Sequence, residues 1–343
     1  MGDAIVLRLF LTAGLTVALA GAVLSVLVAA AGRTRRDRLV GPAGPINQPW
    51  DGLLVVGVFF VLLVAQAVAQ SLLPPLWGPV VAYPVLAGVI LGLVAAKGGR
   101  SPFPARRWAT DVVAGYLTWL VVTPVVFGVF ALATKSNQWL TDRPPDRHPL
   151  VPAIEDAGPW GWPLFLLQTV LLAPVVEELV FRGLLLPWLA TKRPPGPETA
   201  LTIPPVVRPP LILVLSVGVA LLLHTKELQN ALSAGDGHEA VIRLLPAAFF
   251  VVLLPFDLMW PRLSRLRRRL RIRSPQHLRA VWASSALFAA FHAQVWPSPV
   301  PLFVLALGLG YLYLRTRSLI GPVVVHGLFN AVSAVYLLLG GPA

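Results

Sequence analysis

The sequence predicts an all-α, polytopic transmembrane helical bundle of about ten spans. Three observations carry that reading. Of its 343 residues 56% are hydrophobic and only 13% charged. The mean hydropathy is +0.74, and the basic residues fall in clusters between long apolar runs. A water-soluble fold of this size has too little polar surface in such a composition to cover itself. The formal charge of +13 would point to nucleic acid in a soluble protein. Set between spans, the same charge is a topology determinant, and no nucleic-acid partner is expected. The chain has no cysteine, which excludes a disulfide framework, a thiolate nucleophile and thiolate metal ligands.

Residues 4–31 form one apolar run followed at once by Arg33, Arg35, Arg36 and Arg38. A cleaved leader carries its charge before the apolar stretch, so this is read as a retained first span with its N-terminus outside. The second and third spans are expected over 53–73 and 80–96, with Lys97, Arg100, Arg106 and Arg107 inside. A fourth, 110–133, has Asp111 at its cytosolic edge and leads to an outer acidic loop with Asp142, Asp146, Glu155 and Asp156. The fifth, 162–190, contains Glu177, Glu178 and Arg182 and is followed inside by Lys192 and Arg193. A proline-rich linker (194–210) precedes short sixth and seventh spans, 211–223 and 244–260, separated by a polar outer loop. His224 and Asp257 lie near the ends of these spans and are read as interfacial. The basic stretch from Arg262 to Arg279 is expected to lie against anionic lipid on the cytosolic face. The eighth, ninth and tenth spans are expected over 280–295, 302–314 and 319–339. This alternation puts every strongly basic loop on one side and both termini outside. It describes an integral, multi-pass membrane protein, of the plasma membrane if the host is bacterial.

Charge within a span is costly, at roughly 2.5–3.5 kcal/mol per ionised side chain near the bilayer centre. Glu178 and Arg182 are four residues apart with the acid on the N-terminal side, the favoured order for an intrahelical pair. Glu177 points off that face, toward a neighbouring helix. His292 is preceded by small residues suited to close helix packing. His326 and Asn330 share a helical face on the tenth span. Counting inward from the span ends puts Glu177, His292 and Asn330 at one depth, roughly 17–20 Å, with His326 one turn nearer the cytosol. A carboxylate, two imidazoles and a carboxamide meeting there can activate water and hold an oxyanion, the needs of peptide-bond hydrolysis.

Three motifs stand in order on separate spans: Glu177-Glu178-Leu-Val-Phe-Arg182, Phe288-Ala-Ala-Phe-His292 and His326-Gly-Leu-Phe-Asn330. This set resembles the signature of the CPBP intramembrane protease family, also called Abi, whose relatives include type II CAAX prenyl endopeptidases and bacteriocin-processing enzymes. The resemblance implies a membrane endopeptidase acting on a membrane-embedded or lipidated protein or peptide. It implies catalytic roles for Glu177, His292, His326 and Asn330: Glu177 as the base for water with His292 assisting, and His326 with Asn330 holding the water or the oxyanion. Glu178 and Arg182 would orient the site, and Phe288 belongs to the same motif set. No cofactor is required on that reading. A zinc version makes Glu177, His292 and His326 metal ligands, although there is no His-Glu-x-x-His motif. The family core would hold the spans of Glu177, His292 and His326 within residues 161–343, after N-terminal spans over 1–160 that carry no signature. About a hundred residues separate the first two motifs, which reads as a two-span insertion at about 194–279. Two spans are an even number, so the His292 helix keeps its orientation. A proton-coupled carrier and a non-catalytic membrane scaffold are the readings from other classes; carriers pair broken helices in two repeats, and no such pairing is visible. The substrate's identity and the oligomeric state are not legible.

Overall fold

A computed structural model describes residues 46–338, except 47, 75, 100, 143–149, 192–202, 261, 263–264 and 266–276. The expected first span (4–31), most of the proline-rich linker and the centre of the basic stretch lie outside the described residues. Helices account for nearly everything described, and no strand occurs among the described residues. Seven described helices are long and apolar enough to cross a membrane, or eight if one bent pair counts as a single span.

The chain divides into two compact units. One comprises the described parts of Met1–Val125, Arg147–Thr202 and Leu312–Ala343. It opens with α1 (Gly52–Leu72), whose first turn is capped by the Asp51 carboxylate accepting from the Leu54 N–H at 3.0 Å. α2 (Trp77–Ala96) follows. α3 (Trp108–Thr141) runs for 34 residues, about 51 Å at 1.5 Å per residue, and so extends well past the expected end near residue 133. A short α4 (Leu150–Asp156) precedes α5 (Gly158–Ala190).

α5 is not a uniform helix. Its α-helical turns are interrupted by two π-helical segments, Leu167–Leu172 and Leu179–Leu185. Both fall just ahead of a proline, Pro174 and Pro187. A proline ring inside a helix removes one amide donor and collides with the carbonyl four residues back. Those carbonyls belong to Val170 and Gly183, one inside each widened segment. In the second segment a carbonyl is met from outside the helix: Leu184 accepts from the Trp50 indole N–H at 3.2 Å.

α11 (Ile320–Leu338) packs beside the first π segment. A methyl group on its Gly327 would lie 2.6 Å from the Val170 carbonyl oxygen. α11 and α3 also approach closely, since a Cβ on Gly115 would lie 2.7 Å from the Gly321 carbonyl. Glycine at both crossings admits backbone contact that any side chain would block.

The other unit comprises Val126–Asp146 and Ile203–Tyr311. α6 (Arg208–Leu223) and α7 (Thr225–Ser233) meet at a bend of 56°. The expected outer polar loop is thus partly helical. The Asp236 side chain then caps α8 (Gly237–Leu258). α9 (Leu278–Ala290) is only 13 residues long, and α10 (Pro299–Thr316) follows. α6, α8 and α9 share a core in which the alanine face of α9 receives the larger side chains of the other two.

Gly327→Ala is expected to destabilise the protein by about 1–3 kcal/mol through overpacking against the Val170 carbonyl. A thermal unfolding scan in detergent checks this. Gly57→Ala, where an added methyl meets nothing within 4 Å, is the control that leaves the midpoint unchanged or raised.

Candidate active site

Two adjacent glutamates on α5 face different surroundings. The Glu178 side chain is fully buried, and its Oε1 accepts from Arg182 Nη1 at 2.8 Å. Arg182 is itself 1% exposed. The intrahelical pair expected from the four-residue spacing is therefore present, and it lies entirely inside the protein. Breaking such a pair strands a buried charge, so each member holds the other in place.

The same Glu178 oxygen lies 3.0 Å from Nδ1 of His326 on α11. A carboxylate oxygen facing a ring nitrogen at that distance accepts its proton, so Nδ1 donates and the ring orientation is fixed. His326 then presents Nε2 to Glu177, whose Oε2 is 3.7 Å away. The Glu177 side chain is 23% exposed, the more open of the two carboxylates.

Asn330 has a different place from the one expected. Its Nδ2 donates at 2.8 Å to the Thr169 carbonyl, in the first π segment. His326, rather than Asn330, is level with Glu177. The depth count assumed a constant rise per residue, and the π segments of α5 do not keep it. Asn330 ties α11 to α5 one helical turn from His326, satisfying a carbonyl that the widened turn leaves open.

His292 lies in the other unit. α9 ends at Ala290, and His292 stands in the turn that follows rather than deep within a helical span. Its Nδ1 donates to the Phe288 carbonyl at 2.9 Å, and the Phe288 ring lies 4.9 Å from the imidazole. The Phe-x-x-x-His spacing thus orients the ring at the helix end.

Sequence reasoning passed over Tyr83 and Gln66. Buried in α2, the Tyr83 hydroxyl accepts from Gln66 Nε2 at 3.1 Å and lies within electrostatic reach of Glu177. The available signal was a hydrogen-bonding side chain inside an apolar run, Tyr83 in 80–96 and Gln66, beside Gln70 and Ser71, in 53–73. His224 and Asp257, read as interfacial, are buried within the protein, with 3% and 1% exposure. Asp111 is also buried, with Arg107 Nε at 4.0 Å. Among the described residues no three His, Asp or Glu side chains gather so as to hold a metal ion.

An integral, multi-pass helical membrane protein with a buried carboxylate–imidazole site is the class that this fold and geometry define. The profile of the type II CAAX prenyl endopeptidase Rce1-like family matches residues 159–332, just over half of the chain, and the chain belongs to that family. The match takes in all three motifs and the segment between them. Membership supports a membrane protease of the CAAX prenyl endopeptidase type. No curated protein and no solved structure matches the chain.

Arg182→Met is expected to lower stability by about 3–5 kcal/mol by leaving the Glu178 charge buried and uncompensated. The double variant Glu178→Gln/Arg182→Met is expected to recover most of that loss, read from unfolding midpoints in the same detergent.

Proposed function

We propose that this protein is an intramembrane endopeptidase that hydrolyses a peptide bond of a membrane-associated, prenylated or otherwise lipidated protein or peptide, with water activated by Glu177. The observation that carries the reading is the division between two neighbouring carboxylates. Glu178 is buried and engaged by Arg182 and His326, whereas Glu177 is partly open and faces His326 Nε2 across 3.7 Å. The buried carboxylate builds the site, and the more open one is assigned the chemistry.

In the proposed reaction Glu177 takes a proton from the water as its oxygen attacks the scissile carbonyl. The C–N bond then breaks, and the proton passes to the departing amine. His326 is oriented by a carboxylate on one ring nitrogen and acts with the other, the arrangement that makes imidazole an effective partner in acyl transfer. Its Nε2 is suited to holding the water or, when protonated, to donating to the oxyanion. Asn330 fixes α11 against α5 and so supports His326. His292 is assigned to the same reaction by its motif, as an assistant to Glu177. The prenylated substrate is inferred from the family.

Purified protein is tested on fluorogenic lipopeptides, prenylated and unprenylated, with and without a zinc chelator. Glu177→Gln is expected to lower kcat by about 10²–10⁴-fold, with wild-type activity surviving chelation. Loss on chelation with recovery on added zinc would replace the Glu177 base with a metal-bound water. Cleavage that does not depend on Glu177 would end the proteolytic assignment of this site, and proton-coupled uptake would be the next assay.

A further inference from the structure

We infer that His224 is a positioning residue for His292, and that the segment from α6 to α8 exists to hold the turn carrying that histidine. The inference rests on the proteolytic reading above, in which His292 takes part.

His224 sits where α6 gives way to α7 at the 56° bend. Its side chain is buried, and Nε2 is 2.8 Å from the carbonyl oxygen of Ala293, the residue directly after His292. A carbonyl only accepts, so Nε2 carries the proton and donates. Carbonyls in the last turn of a helix and just beyond have no partner further along it, which makes this the place where an outside donor counts. The same turn is tied a second time, by the Trp296 indole N–H donating to Asn137 Oδ1 at 2.8 Å.

The inserted segment also holds the rest of α9. At its start, Arg279 Nε and Nη2 each donate at 2.6 Å to one oxygen of Asp257 at the end of α8. That bidentate fork fixes direction as well as distance. Along its length, Leu213, Phe250 and Leu253 pack on Ala286, Ala289 and Ala290. Start, body and end of the His292 helix are thus each secured by α6–α8. The end contact is the one adjacent to the imidazole.

His292 cannot correct for movement of that turn by rotating its ring, because Nδ1 is held by the Phe288 carbonyl. Any shift of the Ala293 peptide is passed to Nε2. A catalytic group misplaced by about 1 Å loses rate on the order of 100-fold.

The test compares His224→Gln, which retains an N–H donor, with His224→Met, which keeps similar bulk and has none. Both are made in the full chain. His224→Met is expected to lower kcat roughly 10- to 100-fold, with KM within about twofold of wild type, and His224→Gln to restore most of the rate. Because the chain has no cysteine, Gln294→Cys accepts a single spin label on the turn. Its mobility should rise with His224→Met and not with His224→Gln, whether or not the protein is active. Wild-type kcat and label mobility in His224→Met would overturn the inference. So would equal losses in both variants with a lowered unfolding midpoint, which would make His224 a packing residue. If His224→Met does not fold, His224→Gln decides alone: retained kcat supports the donor and lost kcat overturns it. Loosening confined to His224→Met, in a protein without Glu177-dependent cleavage, would leave the positioning contact standing and remove the proteolytic reading.

Discussion

The buried ion pair between Glu178 and Arg182 is the constraint on which the site depends. Two charges with 0% and 1% exposed side chains stand 2.8 Å apart inside a membrane protein. Such a pair contributes little net stability compared with an apolar replacement, because desolvation offsets the attraction. Its value is geometric. Once Arg182 holds Glu178 Oε1, that oxygen can accept from His326 Nδ1 as well. The imidazole is then held by a carboxylate whose own position is fixed, and α11 is located against α5 by a charged contact rather than by apolar packing alone. Asn330, one turn along α11, adds a neutral tie to the Thr169 carbonyl. Two polar contacts a turn apart set both the depth and the rotation of α11, which apolar side chains against lipid or helix specify poorly.

Proline determines how α5 meets this demand. Pro174 and Pro187 each force back a carbonyl four residues earlier, and each lies just past a π-helical segment. Widened turns of this kind recur at functional sites because they present backbone carbonyls that a regular helix keeps for itself. The first is met by α11 with two residues suited to it: Asn330 donates to Thr169, and Gly327 leaves room for the Val170 carbonyl. The His-Gly-Leu-Phe-Asn sequence therefore has a structural reason for its glycine beyond the two polar residues that carry the motif. Histidine, glycine and asparagine each answer a different feature of the same irregular helix.

Features that depend on local spacing were legible in the sequence. The Glu178–Arg182 pair follows from four residues of separation, and the common face of His326 and Asn330 from the same rule. The membrane class follows from composition. Features that depend on departures from regular helix geometry were not legible. The depth count placed Asn330 rather than His326 level with Glu177, because it assigned one rise to every residue of a helix containing two π segments. His292 was placed inside a span because apolar sequence continues past Ala290, although the helix itself stops there. His224 and Asp257 do stand at helix ends, as read, but their burial within the protein was not visible. Their partners, the Ala293 carbonyl and Arg279, lie 69 and 22 residues away in the chain, beyond the reach of any periodicity argument.

The adjacency of the two glutamates has a consequence for chemistry. Successive residues on a helix differ by about 100° in direction, so two neighbouring carboxylates cannot share one environment. If one faces the arginine a turn along its own helix and the histidine of α11, the next must face elsewhere. The sequence Glu-Glu thereby yields one fully buried carboxylate and one partly exposed one without a second helix to separate them. Their closeness keeps both in contact with the same imidazole, Glu178 at Nδ1 and Glu177 toward Nε2. A single histidine thus lies between two carboxylates of unequal burial. Removing the buried glutamate therefore disturbs the more open one through the ring they share.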